Sequence, residues 1–142
     1  MKSLSPNKLA SASGGGAAQA EVSGTTVSIA DAASADLTIT NTGKAGQLLS
    51  IETDAAAWVT VYASQATRTA DASRTETTDP TAGSGVLAEV ITTGAQTVLL
   101  TPGATYFNAE STPTGNLYLK VVNKSGASAA ITATLSVVPV QV

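Results

Sequence analysis

A chain of 142 residues with a net charge of −3, only 12% charged residues, no cysteine and no histidine cannot form disulfides, thiolate metal sites or an imidazole catalyst. A weakly acidic, sparsely charged surface is also a poor partner for nucleic acid. No apolar run approaches the ~18 residues of a membrane span, and the length is that of a single domain.

A soluble monomer ordinarily carries about 25–35% charged residues on its surface. The shortfall has two readings: a skin of Thr, Ser and Ala, or burial of much of the surface against partners. Residues 1–18 are polar, rich in small side chains and broken by Pro6 and Gly14 to Gly16. They lack the apolar stretch of a secretory signal and cannot bury enough surface to fold alone. They read as an arm, either disordered or ordered only against a neighbouring subunit, with Leu4 and Leu9 as anchors. The remaining 19–142 form the domain.

Residues 19–30 alternate loosely through Val22, Val27 and Ile29 around Gly24 and suggest a first strand. A short strand at 36–40 turns Leu37 and Ile39 inward, and Asn41-Thr42-Gly43 with Gly46 marks a turn. Residues 47–53 carry Leu49 and Ile51. The strongest strand, 56–64, puts Trp58, Thr60 and Tyr62 on one face and Val59 and Val61 on the other. Trp58 is then a buried anchor or, if exposed beside Tyr62, Tyr106 or Phe107, an aromatic platform for a sugar.

The 65–85 stretch changes character, with almost no large apolar residue, and is long for a hairpin loop. It holds the chain's two arginines. Arg68, Asp71 and Arg74 stand at three-residue spacing, so a short helical turn would bring them together. They form an intraloop ion pair, with Glu76 as the other candidate acid, or a contact with another chain. Asp71, Glu76 and Asp79 are the carboxylates nearest a glycosidase pair or a calcium site. Their spacing matches no calcium loop, and acids in a Thr/Ser-rich loop are usually solvated. Gly83-Ser84-Gly85 precedes a strand instead of a helix, so it is a turn and not a phosphate loop.

Residues 86–92 and 95–101 read as a hairpin across Thr93-Gly94, the first arm covered on both faces. Pro102-Gly103 is a turn, 105–108 a short strand or edge segment, and 110–115 a loop. The clearest pattern lies at 116–138. Leu117, Leu119 and Val121 share one face, and Ile131, Ala133, Leu135 and Val137 share another. Asn123 to Gly126 supplies turn chemistry, so these read as a second hairpin, followed by a short apolar tail. Asn123-Lys124-Ser125 fits the glycosylation pattern, a match common by chance.

About eight short strands with regular turn signals predict an all-β fold, a single antiparallel β-sandwich of immunoglobulin-like or jelly-roll type. No acid, base or nucleophile stands out as an enzyme's, and no cofactor or metal is implied.

The span from Trp58 to the C-terminus resembles a group of small virion structural proteins of tailed phages. The resemblance rests on the stretch Arg68-Thr69-Ala70-Asp71-Ala72-Ser73-Arg74, then Asp79-Pro80-Thr81, Gly83-Ser84-Gly85-Val86, Ala88-Glu89-Val90-Ile91-Thr92-Thr93-Gly94, and Asn123-Lys124-Ser125-Gly126. It implies a β-sandwich building block located in the virion. The favoured role is a head decoration (cement) protein, whose partners are the major capsid protein and copies of itself. A tail, baseplate or fibre component touching a host glycan is the alternative. Leu4, Leu9, Arg68, Asp71 and Arg74 are the expected partner contacts.

Overall fold

The computed structural model describes residues 18–142. Among them eight strands form two four-stranded antiparallel sheets facing each other. Sheet 1 has the order β1 (Ala20–Thr25), β8 (Thr132–Gln141), β3 (Ala45–Thr53), β6 (Gln96–Phe107). Sheet 2 has the order β2 (Ser34–Ile39), β7 (Leu117–Asn123), β4 (Ala57–Tyr62), β5 (Val86–Ile91). The pairs β1·β8, β2·β7, β3·β6 and β4·β5 are nested one inside the next. The chain is thus one long hairpin, with the 63–85 segment at its tip, rolled up so that β3 meets β8 and β4 meets β7. This is jelly-roll order, which decides between the two sandwich types the sequence left open.

Alternation makes the core. Ile39, Val59, Val61, Leu117, Leu119 and Val121 from sheet 2 meet Leu48, Ile51, Ile131, Ala133, Leu135 and Val137 from the sheet 1 side, all fully buried. Each large aliphatic side chain buried this way contributes about 1.5–3 kcal/mol. Tyr106 adds a buried ring whose hydroxyl donates to the Thr42 carbonyl. Gly46 lies beside it, inside β3 instead of in a turn. A Cβ there would fall 2.3 Å from the Val138 carbonyl oxygen, so the close strand approach needs glycine.

Both expected hairpins have the right strands and the wrong pairing. The connection through Thr93-Gly94 carries the chain from β5 in sheet 2 to β6 in sheet 1, and that through Asn123 to Gly126 carries it from β7 to β8. Two amphipathic strands bury their apolar faces equally well side by side or across the sandwich. Turn residues reverse the chain in either case.

Three local corrections have similar causes. A bulge between Leu48 and Ser50 shifts the phase of β3, so Leu48 instead of Leu49 shares the core with Ile51. Opposite it, Pro102-Gly103 bulges out of a continuous β6 instead of reversing the chain, which also absorbs the 105–108 segment. β5 is an edge strand with Ile91 exposed, and it is β4 and β7 that are covered on both faces.

Candidate functional site

The two outer faces of the sandwich carry the chemistry, and they differ. The outer face of sheet 2 presents Trp58, Thr60 and Tyr62 from β4, Tyr118 and Lys120 from β7, and Glu89 from β5. The 63–85 segment folds down over it. The segment opens with helix α1 (Gln65–Ala70). The Ser64 side chain caps the Thr67 amide, and the Thr67 hydroxyl accepts from the Ser64 amide, a reciprocal capping box. The segment's ends are tied by the Ala63 amide donating to the Gly85 carbonyl at 3.0 Å. Gly85 sits at φ +82° against the Thr67 side chain, a place and a conformation that suit glycine alone.

Arg74 is the centre of this cover. Its Nε donates to both Asp71 carboxylate oxygens at 3.1 and 2.9 Å, its Nη2 to Glu89, and its Nη1 to the Thr78 carbonyl at 2.9 Å. The guanidinium lies 5.3 Å from the centre of the Trp58 ring, and the Lys120 ammonium lies 4.6 Å from it. Both cations gain from the ring's negative face in a desolvated setting. Tyr62 donates to Asp71 at 2.6 Å and Thr60 to Glu89 at 2.9 Å. Lys120 donates to the Ala72 and Arg74 carbonyls at 3.2 Å.

The titration of these groups follows from their surroundings. Burial, then the bond to Asp71, pushes the Tyr62 phenol well above its ordinary value. The hydrogen bond to Glu89 holds Arg74 more firmly protonated than a free guanidinium. Burial alone would raise Glu89, but the bonds from Arg74 and Thr60 outweigh it and leave its pKa lowered. Burial pulls the Lys120 ammonium below the usual lysine value.

The spacing of Arg68, Asp71 and Arg74 is therefore informative for two of the three. Asp71 and Arg74 meet. Arg68 turns away, donating to the Leu37 carbonyl at 3.2 Å, pairing with Asp36 at 3.4 Å and lying 5.7 Å from the Tyr118 ring centre. These three residues, expected to touch another chain, are engaged with their own sheet. Leu4 and Leu9 lie outside the described residues. Asp71 is not solvated as loop acids usually are, because Tyr62 and Arg74 enclose it. Trp58 is 4% exposed and its ring is overlaid by Arg74 and Lys120, so it offers no sugar platform. It is nonetheless outside the intersheet core. Asn123 is fully buried, its amide donating to Ile29 and Ala127, which makes it unsuitable for a glycan.

Sequence reasoning left this covered face unread. The available signal was that β4 pairs an aromatic face with a valine face. A strand apolar on both sides must be covered on both. Beside the cover a cleft of about 520 Å³ remains, lined by Asp31, Trp58, Arg74, Glu76, Lys120 and Lys124, with Lys124 paired to Glu76.

The outer face of sheet 1 has no such cover among the described residues. Its four strands contain two charged residues, Glu21 and Glu52, and no lysine or arginine. Hydroxyls make up much of it, with Ser23 beside Thr134 and Thr25 bonded to Thr132 at 2.8 Å. Glu21 and Glu52 line a shallow depression of about 100 Å³ with Ser50, Thr97, Thr134 and Ser136. Large apolar side chains stand in the open: Leu99 at 73%, Val140 at 66% and Phe107 at 49% exposure. β1 pairs with β8 only as far as Val137, so the β1 side of residues 138–141 has no strand neighbour among the described residues.

Among the described residues no group of three or more acidic side chains is placed to hold a metal ion, and no helix is long and apolar enough to cross a membrane. Comparison with family models, curated proteins and solved structures gives no match.

Proposed function

We propose that this chain is a phage virion structural protein, a head decoration (cement) protein that bridges neighbouring major capsid subunits and stabilises the lattice. The observation that carries the reading is the outer face of sheet 1, nearly chargeless and uncovered among the described residues, with Leu99, Val140 and Phe107 in the open. Exposed apolar side chains on so weakly charged a face suit a surface that another protein covers. The resemblance of residues 58–142 to virion structural proteins supports it, and so does the jelly roll, an architecture found among viral capsid domains. Residues 1–18, with Leu4 and Leu9, act as the strap that gains affinity by adding contacts to those of the domain.

The alternative, a tail, baseplate or fibre component, needs the 65–85 loop to reach a glycan or neighbour. That loop's two arginines and Asp71 are engaged with its own sheet, which favours the decoration reading. The test is addition of the purified chain to expanded heads that lack it. The heads should bind it and gain resistance to heat and osmotic shock. Heads left as fragile as before would overturn the proposal.

A further inference from the structure

We infer that residues 1–17 of one copy dock on the outer face of sheet 1 of a neighbouring copy, seating a lysine ammonium between Glu21 and Glu52 and setting Leu4 and Leu9 against Leu99, Phe107 and Val140. The inference rests on the reading of the chain as part of an assembly and names a partner for its bare face.

Charge is the first argument. The segment contains Lys2 and Lys8 and no acid, and the receiving face contains Glu21 and Glu52 and no cation on its strands. Lys44 stands just before β3, at the far end of that strand from Glu52. The two carboxylates share one depression whose remaining lining is the hydroxyls of Ser50, Thr97, Thr134 and Ser136. An ammonium has three donors and no acceptor, and this lining offers it oxygens on every side.

Apolar complementarity is the second. Leu4 and Leu9 are the large aliphatic side chains of the segment apart from Met1. Leu99 and Phe107 both project outward from β6, in register with Ser50 and Ala45 of β3.

Reach is the third. The chain enters β1 beside residues 138–141, whose open strand side an extended segment can pair. At ~3.3 Å per residue, Leu9 lies up to about 30 Å from Ala18 and Leu4 up to about 45 Å. Four strands at ~4.8 Å spacing make a face only about 15 Å wide. The anchors therefore have the length to pass the edge of their own sheet and reach a neighbouring copy, and Gly14 to Gly16 lets the chain change direction before them.

The test uses the whole chain, with the photo-cross-linker p-benzoylphenylalanine in place of Leu9, in an equal mixture of ¹⁵N-labelled and unlabelled protein. Irradiation should join the residue 9 peptide of one isotope to peptides from β6 or the end of β8 of the other. Cross-links within one chain only, cross-links to sheet 2, or no cross-links at all would overturn the inference. As a second measurement, the pair Glu21→Gln and Glu52→Gln should weaken self-association in sedimentation by roughly twofold to thirtyfold, two surface ion pairs' worth. Asp79→Asn, on the other side of the sandwich, should leave it unchanged. Equal affinity for both variants would exclude the lysine seat. Heads stabilised without the cross-link would remove this contact and keep the decoration role; the cross-link without head binding would do the reverse.

Discussion

The two outer faces of this sandwich are built from strands of the same roll and have opposite chemistry. Sheet 2 carries Trp58, Tyr62, Tyr118 and Lys120 outward, and the chain covers them with its own tip segment, with Arg74 held between Asp71 and Glu89. Sheet 1 carries Ser, Thr and a few apolar side chains outward and is left open among the described residues. The difference shows where the few charges of this chain go. Among the described residues Arg68, Asp71, Arg74, Glu89 and Lys120 are held between the tip segment and sheet 2, where desolvation makes each pairing count, while the strands of the other sheet hold only Glu21 and Glu52, so a partner there would have few charges to desolvate.

If that division is right, the covered face should respond strongly to substitution and the open face weakly. Arg74→Met leaves Asp71 and Glu89 without their shared cation, and it should destabilise the fold by about 3 kcal/mol, the low end for breaking a buried pair. Chemical denaturation measures it, and a loss below about 1 kcal/mol would mean that water already reaches the network. Tyr62→Phe removes one hydrogen bond to the Asp71 carboxylate and should cost about 1.5 kcal/mol in the same assay.

Glu89→Gln replaces the ion pair with Arg74 by a guanidinium–amide hydrogen bond and makes the bond from Thr60 neutral, with an expected loss of about 1 kcal/mol at pH 7. It also sharpens the comparison through pH. Because the folded-state pKa of Glu89 is lowered, the folded chain holds fewer protons than the unfolded one just below the ordinary carboxylate value. The contribution is complete above about pH 5 and is lost as pH falls through the folded pKa. The substitution should flatten that acid limb. At the other extreme, Leu99→Ser on the open face should change stability by less than about 0.5 kcal/mol. A larger loss would mean that Leu99 belongs to the domain's own packing.

Much of the layer structure was legible. Leu37 and Ile39, Val59 and Val61, Leu117 to Val121 and Ile131 to Val137 all face the core as their alternation requires. What strand β5 or β7 does next was not legible, since Thr93-Gly94 and Asn123 to Gly126 reverse the chain without stating which sheet it rejoins. The phase of β3 was hidden because a bulge at Leu49 leaves no mark in residue type. At the covered face, the three-residue spacing of Asp71 and Arg74 was readable. The roles of Glu89 and Lys120 were not, because they depend on which strands become neighbours across the roll.

The nesting of the strand pairs also bears on the order of folding that loop closure favours. Thr25 and Thr132 are 107 positions apart, yet they end side by side. Joining them first would require closing a loop several times longer than the tip, at an extra cost of about 1.3 kcal/mol before any neighbouring contact repays it. Once β4 and β5 have met, β3 and β6 are already close, and each later couple closes a shorter gap. Loop closure thus favours zippering from the tip outward, with the pairing of β1 with β8 last.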